Sequence, residues 1–284
     1  MAGLNKFTAF MGNAFTPVFG KIIYKNMRSK PIVPRQLKKL SELTDKNIKD
    51  IKVVAHRGLS GAYPENTSPS FKAAGGHGGY FGLECDTHMT KDGIWMVLHD
   101  PAIETIYSGK GDVKSLTYNE LMQFDAVRGA NIEKYPSLKM CTLQEYIDIC
   151  KEYKCVPVIE VKDPRPEVMP DFYEMLTKNG IADSAVIISF VLGNLIELNK
   201  INPKLNMWYL VDYITSKSIN DAKKSGCTGI DFSSEFNACR PEYIKKIHDN
   251  GLIAACWTVD SKEMLCKMLE ADVNYITTNT ILPE

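Results

Sequence analysis

From about residue 53 onward, short runs of β-branched and aliphatic residues recur, each followed by a stretch whose apolar positions return every three or four residues. The first kind are too short for helices and read as strands, and the second kind read as amphipathic helices. The expected strands are Val53–His56, Leu83–Asp86, Val156–Lys162, Ala185–Ser189, Trp208–Val211, Gly229–Phe232, Ala254–Val259 and Tyr275–Thr278. Alternation with helices implies parallel pairing, and eight such units close an α/β fold of the (β/α)8 TIM barrel type, whose reactive end lies at the C-terminal strand ends. A doubly wound open sheet is the rival fold. It fits less well, because Gly75-Gly76-His77-Gly78-Gly79 precedes a strand where a dinucleotide fingerprint would follow one.

Trp95–His99 would make a ninth strand, but Thr90-Lys91-Asp92-Gly93 joins it to the second, and Asp-Gly is a hairpin signal. A parallel neighbour needs a crossover of about a dozen residues or more. The segment is therefore expected as an excursion above strand two. The helix after strand two is deferred to Thr142–Tyr153, where Leu143, Tyr146, Ile147 and Cys150 share a face. Residues of about 87–140 become a small insertion over the barrel mouth. The domain plan is a basic, partly amphipathic N-terminal extension over 1–50 and the barrel over 51–284.

Charge sharpens the view of that extension. Eight Lys or Arg and no acid precede Glu42, which leaves 26 basic against 34 acidic side chains in the remainder. A body this acidic argues against nucleic acid as a partner. In the arm, Phe7, Phe10, Met11, Ala14 and Val18 follow helical spacing, with Pro17 ending or kinking the helix. The arm is a poor signal peptide and lacks the ~18 apolar residues of a spanning helix. Two readings stand: the arm packs against the barrel, or it lies in an anionic leaflet and gives the protein peripheral membrane contact. Eight scattered Cys, with no CxxC and no zinc spacing, read as reduced thiols. A cytoplasmic protein is expected, in the second reading at the inner membrane face.

Chemistry gathers at the expected strand ends. Side chains two apart on a strand share a face, so Glu84 pairs with Asp86, and Glu160 with Lys162. His56 and Arg57 end strand one, and Gly58 allows a sharp turn. Three carboxylates at one barrel mouth repel one another unless a cation sits among them, and oxygen ligands favour Mg²⁺ or Ca²⁺ over zinc. His99 ends the excursion beside Asp100.

The segments AHRG, PENT, LECDTHMTKDGIWMVLHD, IEVK, VIISF and CWTVD, in this order from about Val53 to the C-terminus, strongly resemble the glycerophosphodiester phosphodiesterase family. The resemblance implies hydrolysis of glycerophosphodiesters to glycerol 3-phosphate and an alcohol. Carried onto this chain, it makes His56 and His99 the acid/base pair, makes Glu84, Asp86 and Glu160 ligands of one divalent cation, and turns Arg57 and Lys162 toward phosphate. Trp257 either stacks on the glycerol or is ordinary core. Two positions depart from the pattern: Tyr275–Asn279 reads YITTN where the family usually shows Thr-Asp, and His88 stands where an amide or aliphatic residue is common. The rival functions are a lysophospholipase D or phospholipase acting on membrane lipid, and a non-catalytic barrel that binds phosphodiesters. A Schiff-base aldolase using Lys162 is disfavoured, because Glu160 keeps the ammonium charged.

Overall fold

The computed structural model describes residues 31–44, 51–235 and 240–284. The chain divides into two compact units, Met1–Val33 and Pro34–Glu284. Of the first, only residues 31–33 are described, as exposed coil. The expected amphipathic helix of the arm, and with it the membrane reading, lies outside the described residues, as does Cys239.

The second unit is a closed barrel. Its parallel strands are β1 (Lys52–Ala55), β2 (Gly82–Met89), β3 (Val156–Val161), β4 (Val186–Ser189), β5 (Asn206–Val211), β6 (Gly229–Ser233), β7 (Ile253–Trp257) and β8 (Tyr275–Thr278). Each hydrogen-bonds to the next in chain order, and β8 pairs with β1 to close the ring. Seven helices cross between them: α1 (Ser68–His77), α2 (Leu143–Tyr153), α3 (Met169–Lys178), α4 (Leu192–Ile201), α5 (Ser216–Lys224), α6 (Pro241–Asp249) and α7 (Lys262–Glu270). Among the described residues no helix is long and apolar enough to cross a membrane.

Alternation along the strands sorts side chains between two buried layers. Val54, Val158, Val186, Ile188, Trp208, Leu210, Ala255 and Tyr275 fill the barrel interior. Their odd- or even-numbered neighbours, such as Val53, Leu83, Ile159, Ile187, Ile230 and Cys256, pack outward against the helices. Gly229 makes room inside: a Cβ there would stand 2.8 Å from the Trp208 indole. The same parity turns His56, Glu84, Asp86, Glu160, Lys162 and Asp231 inward.

The excursion forms, with two differences from the sequence pattern. β2 does not stop at Asp86 but runs to Met89, because its upper half gains a second partner, the antiparallel strand Trp95–Val97. That strand is three residues long and pairs in turn with Cys141–Thr142, so the insertion leaves and re-enters along one edge. Asp92 closes the turn by accepting from Thr90 Oγ1 (2.7 Å) and from the Tyr118 backbone N–H (2.9 Å), and Gly93 takes φ +84°. Trp95 and Val97 face the main core, whereas Met96 and Leu98 join Ile103, Tyr107, Val113 and Leu121 in a separate apolar cluster belonging to the insertion.

Residues 38–43, left in the extension by the pattern reading, join the body. Lys38–Lys39 pairs in parallel with Ile281–Leu282, and the helical turn Leu40–Leu43 buries both of its leucines. Helix α2 fastens the seam that carries the acidic strand ends. The Tyr146 hydroxyl donates to Leu83 O of β2 (2.5 Å) and accepts from Val158 N of β3 (3.0 Å).

Candidate active site

The C-terminal end of the barrel opens into two joined spaces that share His99, Glu160, Lys162 and Phe190. One is a narrow recess inside the barrel, lined by His56, Arg57, Glu84, Asp231, Trp257 and Thr277. The other is a groove of about 400 Å³ beneath the insertion, lined by His88, Asp100, Pro101, Asp112 and Lys114. A volume of this size suits a small-molecule site.

Glu84, Asp86 and Glu160 are buried, and each offers an oxygen within 4.8 Å of the others. Burial and the Asp86 charge hold Glu84 well above the usual carboxylate range and push Glu160 up to about 7. Burial alone would raise Asp86 as well, but Arg57 and Lys162 outweigh it and hold Asp86 well below its ordinary value. Three ionised carboxylates thus need more positive charge than Arg57 and Lys162 supply. Asp86 Oδ1 is buried without a hydrogen bond among the described residues, and Lys162 Nζ stands 3.4 Å from it. An all-oxygen donor set with one orphaned oxygen fits a hard divalent cation.

The turn after β1 frames this triad. Arg57 (φ +56°) and Gly58 (φ +76°) both adopt the left-handed region, which points the Arg57 N–H at Glu84 Oε2 (2.9 Å). A Cβ on Gly58 would meet Ser70 at 2.6 Å, so glycine is required there. The Arg57 guanidinium bridges Glu65 Oε1 (2.8 Å) and Asp86 Oδ2 (3.1 Å), and Lys162 reaches Glu160 Oε1 (2.8 Å). Both cations line the recess while balancing the acids.

His56 and His99 line the recess from opposite origins, one on the barrel and one on the insertion. His56 Nδ1 lies 2.8 Å from Asn279 Oδ1, and Asn279 Nδ2 donates to Asp260 Oδ2 (2.6 Å). Because that amide oxygen can only accept, Nδ1 carries the proton and Nε2 keeps its lone pair. Nε2 stands 3.9 Å from Glu84 Oε2. Burial, reinforced by the Arg57 charge, pushes His56 down to about 3, so the ring is neutral at neutral pH. His99 Nδ1 is 2.8 Å from Asp100 Oδ1, a contact that holds the Asp100 carboxyl below its usual range. Buried His88 lies with Nε2 3.1 Å from His99 O, which braces the loop that carries His99.

Several residues here carried no role in the sequence reading. Asn66 (φ +57°), in the PENT segment, donates to Asp86 Oδ2 (2.7 Å), and Asn279 and Asp260 orient His56. Asp231 is a carboxyl on the recess wall, 1% exposed, which burial holds well above the usual range. A polar residue between Ile230 and Phe232 in a buried strand was the available signal. Trp257 lines the recess with its Nε1–H buried and unpartnered among the described residues, and its ring meets Phe190 edge-on at 5.7 Å.

The glycerophosphoryl diester phosphodiesterase family model matches residues 56–282. The chain is 29% identical over 231 residues to a glycerophosphodiester phosphodiesterase of Caldanaerobacter subterraneus subsp. tengcongensis, a match covering 80% of this chain and 93% of the relative. It is 28% identical over 249 residues to one of Bacillus subtilis, covering 81% and 83%. Among solved structures, it is similar to a glycerophosphodiester phosphodiesterase of Parabacteroides distasonis, with TM-score 0.69, 28% identity and coverage of 81% and 93%. Its fold is also that of an Oleispira antarctica phosphodiesterase in complex with the product sn-glycerol-3-phosphate, with TM-score 0.74, 24% identity and coverage of 80% and 92%.

Proposed function

The chain belongs to the glycerophosphoryl diester phosphodiesterase family and is a phosphodiesterase; from that premise we propose a division of labour for the cleavage of glycerophosphodiesters to glycerol 3-phosphate and an alcohol. His56 and His99 move the proton, and Glu84, Asp86 and Glu160 hold one divalent cation, Mg²⁺ or Ca²⁺. The observation that carries this reading is one recess lined by both imidazoles and walled by the buried carboxylates. The product held by the Oleispira relative supports the same outcome.

The diester brings one negative charge, and attack at phosphorus spreads more onto its non-bridging oxygens. When bound, the cation supplies positive charge beside those oxygens. Arg57 and Lys162, already in the recess, turn donors toward the same oxygens, and Arg57 can present two in parallel. His56 enters as a neutral imidazole with Nε2 free to take the proton of the attacking hydroxyl, that of water or of the neighbouring glycerol carbon. The anionic diester arriving beside it raises its proton affinity toward the range a general base needs. His99, steadied by Asp100, gives a proton to the leaving oxygen on the groove side.

The test is hydrolysis of a panel of soluble glycerophosphodiesters with added Mg²⁺ or Ca²⁺ and again in excess EDTA, measuring glycerol 3-phosphate. Metal-dependent release is expected. Turnover of micellar lysophosphatidylcholine but not soluble glycerophosphocholine would move the protein to the lipid-acting class, and no turnover of any diester would overturn the reading.

A further inference from the structure

We propose that Asp231 is the specificity residue for the glycerol half of the substrate, and that with Trp257 it holds the glycerol hydroxyls on the recess wall. This rests on the phosphodiesterase reading above and adds to it a residue and a discriminating role.

Asp231 is central in β6, where Ile230 and Phe232 turn outward into the helix layer and parity turns Asp231 inward. Its register partners on either side are Leu210 of β5 and Ala255 of β7, both within the interior apolar layer. Neither can hydrogen-bond a carboxyl. Asp231 Oδ1 is buried and, among the described residues, has no hydrogen-bond partner. An unpaired buried carboxyl costs stability, and replacing it with an apolar residue of similar volume is the easy remedy. Its location on the wall of the reactive recess gives it a use.

A second orphan points the same way. Trp257, at the end of β7, lines the recess and has its Nε1–H buried without an acceptor among the described residues. Indole nitrogen only donates, whereas a carboxyl accepts when ionised and both donates and accepts when neutral. Together they complement two neighbouring hydroxyls, each able to give and take a hydrogen bond. Ile188 and Leu210, on the same wall, offer apolar contact to a short carbon chain. The alcohol half, which varies in size among glycerophosphodiesters, is left the wider groove beneath the insertion. Sites built to bond a hydroxyl reject analogues that lack it, because their own polar groups are then stranded.

The experiment compares glycerophosphocholine with propyl phosphocholine, which keeps the diester and the choline but lacks both glycerol hydroxyls. The wild-type protein, the Asp231→Leu variant and the Asp231→Asn variant are assayed with saturating Mg²⁺ or Ca²⁺, and their folding is checked by circular dichroism and thermal melting. The wild type should favour glycerophosphocholine in kcat/KM. Asp231→Leu should lose about 10- to 100-fold on glycerophosphocholine, mainly through KM, and far less on propyl phosphocholine, so the preference collapses. Asp231→Asn, which keeps hydrogen-bonding atoms in the same place, should retain most of the preference and serves as the folded comparator if the leucine variant does not fold. A wild type with no preference between the two diesters, or a folded leucine variant that keeps the full preference, would overturn the inference while leaving the function standing. A wild type inactive on both would instead remove the phosphodiesterase reading.

Discussion

His56 and Asn279 meet across the seam between β1 and β8, with Nδ1 and the amide Oδ1 2.8 Å apart. The amide is itself locked: Asp260 accepts from Asn279 Nδ2 (2.6 Å), from the Asn279 backbone N–H (2.7 Å) and from Thr278 Oγ1 (3.0 Å). A neutral amide oxygen thus fixes the imidazole tautomer. Asn279→Ala should lower kcat about 10- to 100-fold with little change in KM, because the ring loses its orientation and keeps its chemistry. Asn279→Asp should keep kcat within a few-fold of wild type but melt at lower temperature, since it sets a carboxylate against Asp260. An alanine variant with wild-type kcat would remove Asn279 from the positioning of His56.

Replacing either imidazole should be more severe. His56→Ala and His99→Ala are each expected to lower turnover by at least ~10²-fold while leaving divalent-cation binding nearly intact, because the proton and the cation fall to different side chains. Steady-state kinetics alongside calorimetric metal titration checks both halves. Near wild-type turnover in either variant would refute the assignment.

The acidic triad should behave in the opposite way. Glu84→Gln, Asp86→Asn and Glu160→Gln should each weaken Mg²⁺ or Ca²⁺ binding along with activity, and excess EDTA should silence the wild type until the cation is restored. In the metal-free protein, Glu160→Gln should melt no lower than wild type, because it removes a charge pressed against Asp86. Full activity in EDTA would refute a metal role for the triad.

Stability should show an acid limb set by Asp163. Burial would raise this carboxyl, but the Arg165 hydrogen bonds and charge and the backbone N–H groups of Met89 and Arg165 more than offset it and hold it below its ordinary value. A carboxyl depressed in the folded state stabilises above its unfolded pKa, near 3.9, and loses that contribution as pH falls through the folded value. Asp163→Asn should therefore cost roughly 1–3 kcal/mol at pH 7, and the gap to wild type should narrow below about pH 4. Urea unfolding at several pH values measures it, and a gap independent of pH would remove Asp163 as its source.

Much of this was readable from spacing because the informative features are local. Inward parity placed Glu84 beside Asp86 and Glu160 beside Lys162, and Asp92-Gly93 marked the hairpin. What stayed hidden depends on closure of the ring. Asn66 meets Asp86 twenty residues away, Asn279, held by Asp260, meets His56 only because β8 returns to β1, and Asp231 reaches the recess wall only when the ring closes. Residues 38–43 join the body through a pairing with residues near 281, which no short-range pattern encodes.

The insertion has an apolar cluster of its own, and His99 stands on the insertion while His56 follows β1 of the barrel. The two imidazoles are therefore carried by different packing units, which meet along the edge that Trp95–Val97 shares with β2 and at contacts such as Asn131 Nδ2 donating to Ala62 O (2.9 Å). Local opening of the insertion would withdraw His99 from His56 while the eight-stranded ring persists. Reactivity is in this sense a fragile property resting on a sturdy one. Warming should extinguish turnover some degrees before the far-ultraviolet signal of the barrel collapses, leaving a folded but silent population.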